Sequence, residues 1–166
     1  MWLVLRHKKG ELKILQKEIQ KKIGNLPELF CPKIKISKII NNKTKEFSNN
    51  FLSDYVFFYD KKFTNKDIIN SLKNSRGLKT LLSNYSNYQK DVEKFITLCK
   101  SNSDKDGCIK SSYFDSLNFK KGIFLNGPFG QIIFDVLENK KNFLKVVINK
   151  KITTISKNTN FTYRPV

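Results

Sequence analysis

Residues 51–59 have the sequence FLSDYVFFY, a short and strongly apolar run with polar residues on both sides. Val56 and its aromatic neighbours favour a β-strand, which a pair of lysines then ends. Strand alternation places Val56 and Phe58 on one face and Tyr55 and Phe57 on the other, so both faces carry large apolar groups. The predicted strand is therefore either central and covered on both faces, or its aromatic face meets something outside the domain.

The rest of the chain has an unusual charge balance. Its 166 residues, 39% hydrophobic and 13% aromatic, suffice for one ordinary domain or two small ones. The 32 basic residues outnumber the 14 acidic ones and give a net charge of +18. Such a surplus favours polyanionic surroundings, meaning nucleic acid or a nucleoprotein assembly. A second explanation stays open, because abundant Lys, Asn and Ile without any Ala is also typical of AT-rich coding.

Several classes of protein are not supported by the sequence. Cys31, Cys99 and Cys108 are odd in number and form no CxxC pair, so we expect reduced thiols rather than disulfides or a zinc site. The apolar runs fall short of the roughly 20 residues of a membrane span. The first ten residues, MWLVLRHKKG, place their charges after the apolar run, which is the wrong order for a secretion signal. We therefore expect a cytoplasmic protein without a membrane partner.

The sequence offers little for catalysis. His7 is the single histidine, and its position in a basic turn predicts a surface residue. Phosphate-binding glycine motifs are absent, and the closest acidic pair, Asp104 and Asp106, lies in a predicted linker. We predict a binding protein rather than an enzyme, with no catalytic residues, no metal site and no cofactor.

Hydrophobic periodicity divides the chain into two predicted domains of an α+β protein. Residues 1–100 predict a mixed β-α-β sheet flanked by helices. Its strands are expected over residues 2–5, 33–40, 51–59 and 78–83, its helices over 11–23, 65–74 (capped by Thr64) and 87–99, and a polar loop over 41–50. A linker is predicted for residues 101–118. Residues 119–166 predict short strands separated by tight turns, which indicates a small SH3-like β-barrel.

The order of these elements resembles the NusG family of transcription elongation factors, and among them the specialised RfaH-like paralogues. The resemblance starts with WLVLRHKKGELK, an aromatic-led strand that passes through a basic turn into a helix. FLSDYVFFY is similar to the family's Phe-Pro-Gly-Tyr-Val-Phe strand, with Ser53-Asp54 in place of Pro-Gly, and NSRGLKTLL is similar to its Arg-Gly-Val junction. The β-rich tail resembles a KOW domain whose Gly-Pro-Phe turn is Gly127-Pro128-Phe129.

The resemblance implies partners for the first domain, an NGN-like domain in this family. An aromatic patch would dock on the clamp helices of RNA polymerase, and the matching positions are Tyr55, Phe57 and Leu81. A basic surface would contact the non-template DNA strand. Its matching positions are Lys8, Lys9, Lys21, Ser75 and Arg76.

The resemblance also implies a function for the whole chain, which would be a monomer located with RNA polymerase at the nucleoid. It would act in bacterial transcription elongation or antitermination, suppressing pausing or termination. Its KOW-like domain would recruit a ribosomal protein or a termination factor. In RfaH this domain can refold into a helical hairpin, but the β-branched residues between 145 and 156 favour the β form here.

A second hypothesis remains open from the residues themselves. A basic, KOW-containing RNA- or ribosome-binding protein would use the lysines around the predicted barrel, which are Lys120, Lys121, Lys140, Lys141, Lys145, Lys150 and Lys151.

Overall fold

A computed structural model describes residues 1–41, 43–157, 159 and 161–166, with the backbone alone at 38, 39, 44, 111, 115 and 116. The chain forms two compact units. Unit 1 consists of Met1–Lys33 and Asn50–Ser101, and unit 2 of Ile34–Asn49 and Asn102–Val166. Both mix helices with β-sheets, so the predicted α+β class is confirmed.

Unit 1 is built on a four-stranded sheet with three helices. Its strands are β1 (Trp2–His7), β2 (Glu28–Phe30), β5 (Tyr55–Tyr59) and β6 (Leu78–Leu81), and its helices are α1 (Leu12–Ile23), α2 (Lys66–Leu72) and α3 (Gln89–Ser101). The order across the sheet is β2-β5-β1-β6. β1 and β5 pair antiparallel in the centre, from Trp2 opposite Tyr59 to Arg6 opposite Tyr55.

The two faces of this sheet are covered by different helices. Leu3, Leu5, Val56 and Phe58 are buried with apolar residues of α1 and α2. Trp2 and Phe57 point to the other face, where they pack with Ile96 of α3. The central strand is thus covered on both faces along most of its length.

A polar contact fixes α3 on its face of the sheet. β6 pairs with β1 only from Leu5 to His7, which leaves the backbone of Trp2 without a strand neighbour on that side. The side chain of Gln89, the first residue of α3, accepts a hydrogen bond from Trp2 N (2.8 Å) and donates one to Trp2 O (2.9 Å). Because buried backbone groups require partners, this amide anchors the helix.

Unit 2 contains two sheets, of which the larger is antiparallel, and a short helix. The larger sheet has the order β11-β10-β9-β8-β12, and the smaller one β4-β3-β7. The elements are β3 (Lys33–Ile40), β4 (Lys43–Asn50), β7 (Cys108–Ile109), α4 (Ser111–Ser116), β8 (Lys121–Phe124), β9 (Ile133–Asn139), β10 (Phe143–Ile148), β11 (Lys151–Ser156) and β12 (Tyr163–Pro165). Across the described residues, β11 and β12 are the edges of the larger sheet, so the closed SH3-like barrel stays a prediction.

Aromatic packing explains the turn at Gly127-Pro128-Phe129 in unit 2. Gly127 has φ +74°, and a Cβ there would lie 2.6 Å from the ring of Phe161. Phe129 packs against Phe124 and Phe161, with ring centroids 5.7 and 5.9 Å apart. The buried rings of Phe124 and Phe134 are 4.3 Å apart beneath it. The turn therefore closes over an aromatic core.

The structure differs from the predicted elements in several places. The central strand begins at Tyr55, because residues 51–54 form a turn in which Ser53 has φ 57°. The expected loop at 41–50 is mostly strand β4, and the expected linker at 101–118 contains β7 and α4. Asn65, not Thr64, caps α2 by accepting a hydrogen bond from Asp67 N.

The predicted domains at 1–100 and 119–166, with a linker at 101–118, are each continuous in sequence. Each of the two units instead combines two separate segments of the chain. The hairpin of β3 and β4 belongs to unit 2, together with most of the segment expected to be a linker. In the part of the chain that the structure describes, no helix has the length and apolarity required to cross a membrane.

Candidate functional site

The three predicted docking residues do not share one face of the unit 1 sheet. Tyr55 and Phe57 point to the face that carries α3, by their register with Arg6 and Val4. Leu81 lies opposite Leu5 and packs against the cluster beneath α1 and α2. A single patch therefore cannot include all three side chains.

Phe57 is part of the core. It is only 5% exposed. Its ring centroid lies 5.5 Å from that of Phe95 on α3 and 6.0 Å from that of Phe30 on β2. Phe57 is therefore covered by the protein itself. This is the first of the two explanations given for a strand with two apolar faces.

Tyr55 lies at the end of the same face and is half-buried. The guanidinium carbon of Arg6 is 5.5 Å from the centre of the Tyr55 ring, a cation–π arrangement. The same guanidinium is 3.9 Å from the carboxylate of Asp54. Opposite Arg6 is the exposed Thr80. Just past the end of β6 is Leu82, which is 39% exposed and whose N–H donates a 3.0 Å hydrogen bond to Val4 O. We call Arg6, Tyr55, Thr80 and Leu82 the Tyr55 surface.

The basic turn after β1 meets the Arg76-Gly77 junction. The N–H of Lys8 donates a 2.8 Å hydrogen bond to Gly77 O. Lys8, Lys9 and Arg76 are exposed. Three of the five predicted DNA contacts are therefore brought together by a backbone contact between the turn and the junction.

The prediction that His7 lies on the surface is wrong. The residue is only 8% exposed, and its Nδ1 donates a 2.7 Å hydrogen bond to Lys8 O. It ends β1 and stabilises the turn rather than facing solvent.

Ser75 and Lys21 occupy different surroundings from the other three predicted DNA contacts. Ser75 is 6% exposed, and its Oγ accepts a 2.9 Å hydrogen bond from Lys22 Nζ, which also donates to Ser71 O (2.5 Å). Ser75 thus positions Lys22. Lys21 is exposed in the last turn of α1 and lies 3.3 Å from Glu18. A 12-residue helix is about 18 Å long, so Lys21 is well separated from the basic turn at its other end.

In unit 2 the acidic pair Asp104 and Asp106 has a fixed geometry, although none was expected in a linker. Lys35 Nζ is 2.7 Å from a carboxylate oxygen of each. The other oxygen of Asp104 accepts hydrogen bonds from the N–H groups of Asp106 (2.9 Å) and Cys108 (3.0 Å). The hydrogen bond from Lys35, followed by that from Cys108 N, lowers the pKa of Asp104 to about 2. No group of three or more potential metal-ligating side chains occurs in the described ranges.

Comparisons with known proteins find only weak structural similarity. No family model matches the chain, and no curated protein matches it. Among solved structures it is similar to the MjSpt4:Spt5 complex in conformation B, with 11% identity, a TM-score of 0.35, and coverage of 94% of this chain and 92% of that one. It is also similar to NusG of Thermotoga maritima, in a structure of its domain interaction, with 13% identity, a TM-score of 0.33, and coverage of 99% and 96%. At these TM-scores neither likeness carries an argument about function.

Sequence reasoning missed three contributors to the site. Arg6, counted only as part of the basic turn, stacks on Tyr55. Leu82, the residue after β6, is 39% exposed. Lys22 is placed by Ser75. Pairing of the two predicted strands that contain Arg6 and Tyr55 would have found Arg6. Leu82 depends on where β6 ends, and Lys22 depends on a contact between α1 and the end of α2.

The ion pair of unit 2 gives a testable pH dependence. Since the pKa of Asp104 is depressed from its ordinary 3.8 to about 2, the carboxylate stays charged through pH 3 to 4. The stabilisation from this pair is present above pH 4 and lost as the pH falls through about 2. In Lys35→Met, we expect the pKa of Asp104 to rise towards 3.8, as measured by NMR titration of its carboxyl carbon. An unchanged pKa would show that the backbone donors alone hold the charge.

Proposed function

We propose that this chain is a bacterial transcription elongation factor that docks on the clamp helices of RNA polymerase through the Tyr55 surface. The observation that carries the proposal is the arrangement of Tyr55, the stacked Arg6 and the exposed Leu82 at the end of a sheet face that α3 otherwise covers. Aromatic and Arg side chains are the usual anchors of protein interfaces. Phe57 supports this surface from within the core, and Leu81 supports it from the opposite face.

Position and charge support a contact with exposed DNA beside this surface. Lys8, Lys9 and Arg76 are exposed around the turn that follows β1, and Arg6 belongs to the same strand. Cations follow the phosphates of a single strand, and Arg also stacks on bases. The non-template strand would therefore lie along the basic turn, with Lys21 as an outlying contact and Ser75 as the residue that positions Lys22.

The proposed mechanism is a shift in the population of polymerase states. A factor that binds the closed clamp more tightly than the swivelled or open clamp stabilises the elongating state. Pausing and termination would then be suppressed without any enzymatic step by the factor. The chain would act as a monomer in the cytoplasm, located at the nucleoid by RNA polymerase, as RfaH-like paralogues are.

For the C-terminal part we propose a KOW-like domain over residues 119–166 that closes into an SH3-like barrel. The support is the aromatic core beneath the Gly127-Pro128-Phe129 turn and five consecutive antiparallel strands. The domain would recruit a ribosomal protein or a termination factor, while unit 1 would form the NGN-like domain.

Substitution of Tyr55 tests the docking proposal. We expect Tyr55→Ala in the full chain to reduce co-purification with core RNA polymerase by at least about tenfold, because an aromatic anchor contributes about 2 kcal/mol or more. Tyr88→Ala is the matched control, since Tyr88 is a 53% exposed tyrosine of unit 1 outside the Tyr55 surface. If Tyr55→Ala recovers as much polymerase as the parent protein, the docking assignment is wrong.

The same pull-down distinguishes the second candidate function. Exposed Lys120, Lys141, Lys150 and Lys151 favour a basic RNA- or ribosome-binding protein, whereas Lys121 and Lys140 are 3.7 and 3.2 Å from acidic partners. Recovery of ribosomal RNA without polymerase subunits would support this alternative, and recovery of polymerase subunits would support the factor.

A further inference from the structure

Strand β4 carries an exposed row of two lysines and an aromatic ring. Because successive side chains of a strand alternate, Lys43, Lys45 and Phe47 lie on one face of β4. Both lysines are exposed, and Phe47 is 39% exposed. Among the strands of the described residues, β4 is an edge of the three-stranded sheet, so one side of the row has no strand neighbour there.

The opposite face of β4 and the neighbouring strand have partners inside unit 2. Ser48 Oγ is 3.4 Å from Cys108 Sγ, and Lys35 of β3 is held by Asp104 and Asp106 at 2.7 Å. Glu46, the single acidic residue of 43–50, alternates away from the row. The face with Lys43, Lys45 and Phe47 combines positive charge with a ring that is 39% exposed.

We propose that this row binds a single strand of nucleic acid, with Lys43 and Lys45 on successive phosphates and Phe47 stacked on a base. Alternate residues of a strand are about 6.6 Å apart, which suits cations that follow an extended sugar–phosphate chain. Stacking requires an unpaired base, so the exposed ring favours a single strand over a duplex. RNA and DNA share this chemistry.

The proposal is independent of docking on RNA polymerase. It concerns unit 2 and a ligand that the full chain binds on its own, so binding can be measured without any partner protein. Failure of this proposal would leave the Tyr55 surface untouched, and failure of the docking proposal would leave this row untouched.

Fluorescence anisotropy with labelled oligouridylate and oligothymidylate tests the two lysines. In Lys43→Ala with Lys45→Ala, we expect affinity at low salt to fall about tenfold. The slope of log affinity against log salt should become shallower by about 1.4, at about 0.7 for each lost phosphate contact on a single strand. Lys105→Ala with Lys110→Ala is the control, because it removes the same charge from exposed lysines of unit 2 outside this row and should change affinity by less than about twofold.

Phe47 is tested with two substitutions that keep an apolar side chain. Phe47→Leu should lower affinity about fivefold or more without changing the salt slope, because a lost stack is worth roughly 1–3 kcal/mol. Phe47→Trp should keep the affinity, and the fluorescence of the introduced indole should be quenched by the bound strand. The parent protein supplies the baseline, since Trp2 is the single tryptophan and is 7% exposed.

Circular dichroism establishes that each variant is folded. Tighter binding of RNA than DNA, or the reverse, would identify the natural strand, and equal binding would support recognition of phosphate and base faces alone. The proposal is overturned if the control pair loses as much affinity as the lysine pair, if the Phe47 substitutions have no effect, or if a duplex binds as tightly as either single strand.

Discussion

Phe57→Ala is expected to destabilise unit 1 by about 3–5 kcal/mol, the usual range for removing a buried phenyl ring. Phe57 is 5% exposed and packs between Phe95 and Phe30, so its truncation leaves a cavity beneath α3. A domain of this size has a total stability of roughly 5–15 kcal/mol, so the loss is a large part of it. Urea denaturation followed by the fluorescence of Trp2 measures it, because Trp2 is the single tryptophan and packs in the same cluster.

Tyr55→Ala provides the comparison within the same strand and face. Tyr55 is half-buried and contacts Arg6 through a cation–π interaction, so its removal should cost about 1 kcal/mol. Equal unfolding midpoints for Phe57→Ala and the parent protein would contradict the burial of Phe57 under α3. The contrast matters for function, since loss of polymerase binding in Phe57→Ala would report unfolding, whereas loss in Tyr55→Ala would report the interface.

Local pattern was enough to predict much of unit 1. The 3.6-residue period predicted α1, α2 and α3, and β-branched and aromatic runs predicted β1, β5 and β6. Helix positions were also nearly right, since Gly24 ends α1 with φ 80° as expected for a stop. The pattern of each of these elements lies within a short stretch of sequence, so they could be predicted without knowing any tertiary contact.

The location of the site depended on tertiary contacts that short windows do not contain. The apolar stripe of α3 must be buried, but its sequence does not say which face of the sheet receives it. That choice decides whether Phe57 is an interface or a core residue, and it rests on the contacts of Gln89 and Phe95 with β1 and β5. The face on which Leu81 lies has a related cause, because it follows from the register of Leu81 with Leu5.

Long-range pairing also explains why β4 was expected to be a loop. Its sequence, KTKEFSNN, is polar and lacks the apolar alternation of a half-buried strand. It is nevertheless a strand because β3 offers its hydrogen-bonding edge, and β3 is held by Lys35 against the Asp104–Asp106 loop. The polar composition that obscured the strand is what leaves Lys43 and Lys45 available to a ligand.

Gly77→Ala is expected to destabilise unit 1 by about 2–5 kcal/mol, from two separate causes. Gly77 has φ +82°, where an L-residue is disfavoured by about 1–2 kcal/mol. A Cβ there would also lie 3.0 Å from Glu11 O and from Leu15 N, and backbone atoms of a helix cannot move aside as a side chain end can. Overpacking of this kind costs about 1–3 kcal/mol. Denaturation monitored by Trp2 fluorescence measures the total.

Gly10→Ala separates the two causes. Gly10 is in unit 1 and has a similar φ of +78°, but a Cβ there would have nothing within 4 Å. It should therefore lose only the backbone contribution of about 1–2 kcal/mol. The difference between the variants is the contribution of packing between the Arg76-Gly77 junction and α1. The Lys8 N–H donates a hydrogen bond to Gly77 O, so that packing also sets the position of the basic turn. If the proposed nucleic-acid contact at Lys8 and Arg76 forms, Gly77→Ala should weaken it even at temperatures where unit 1 remains folded. Equal destabilisation by the two substitutions would show that the junction does not rest on α1.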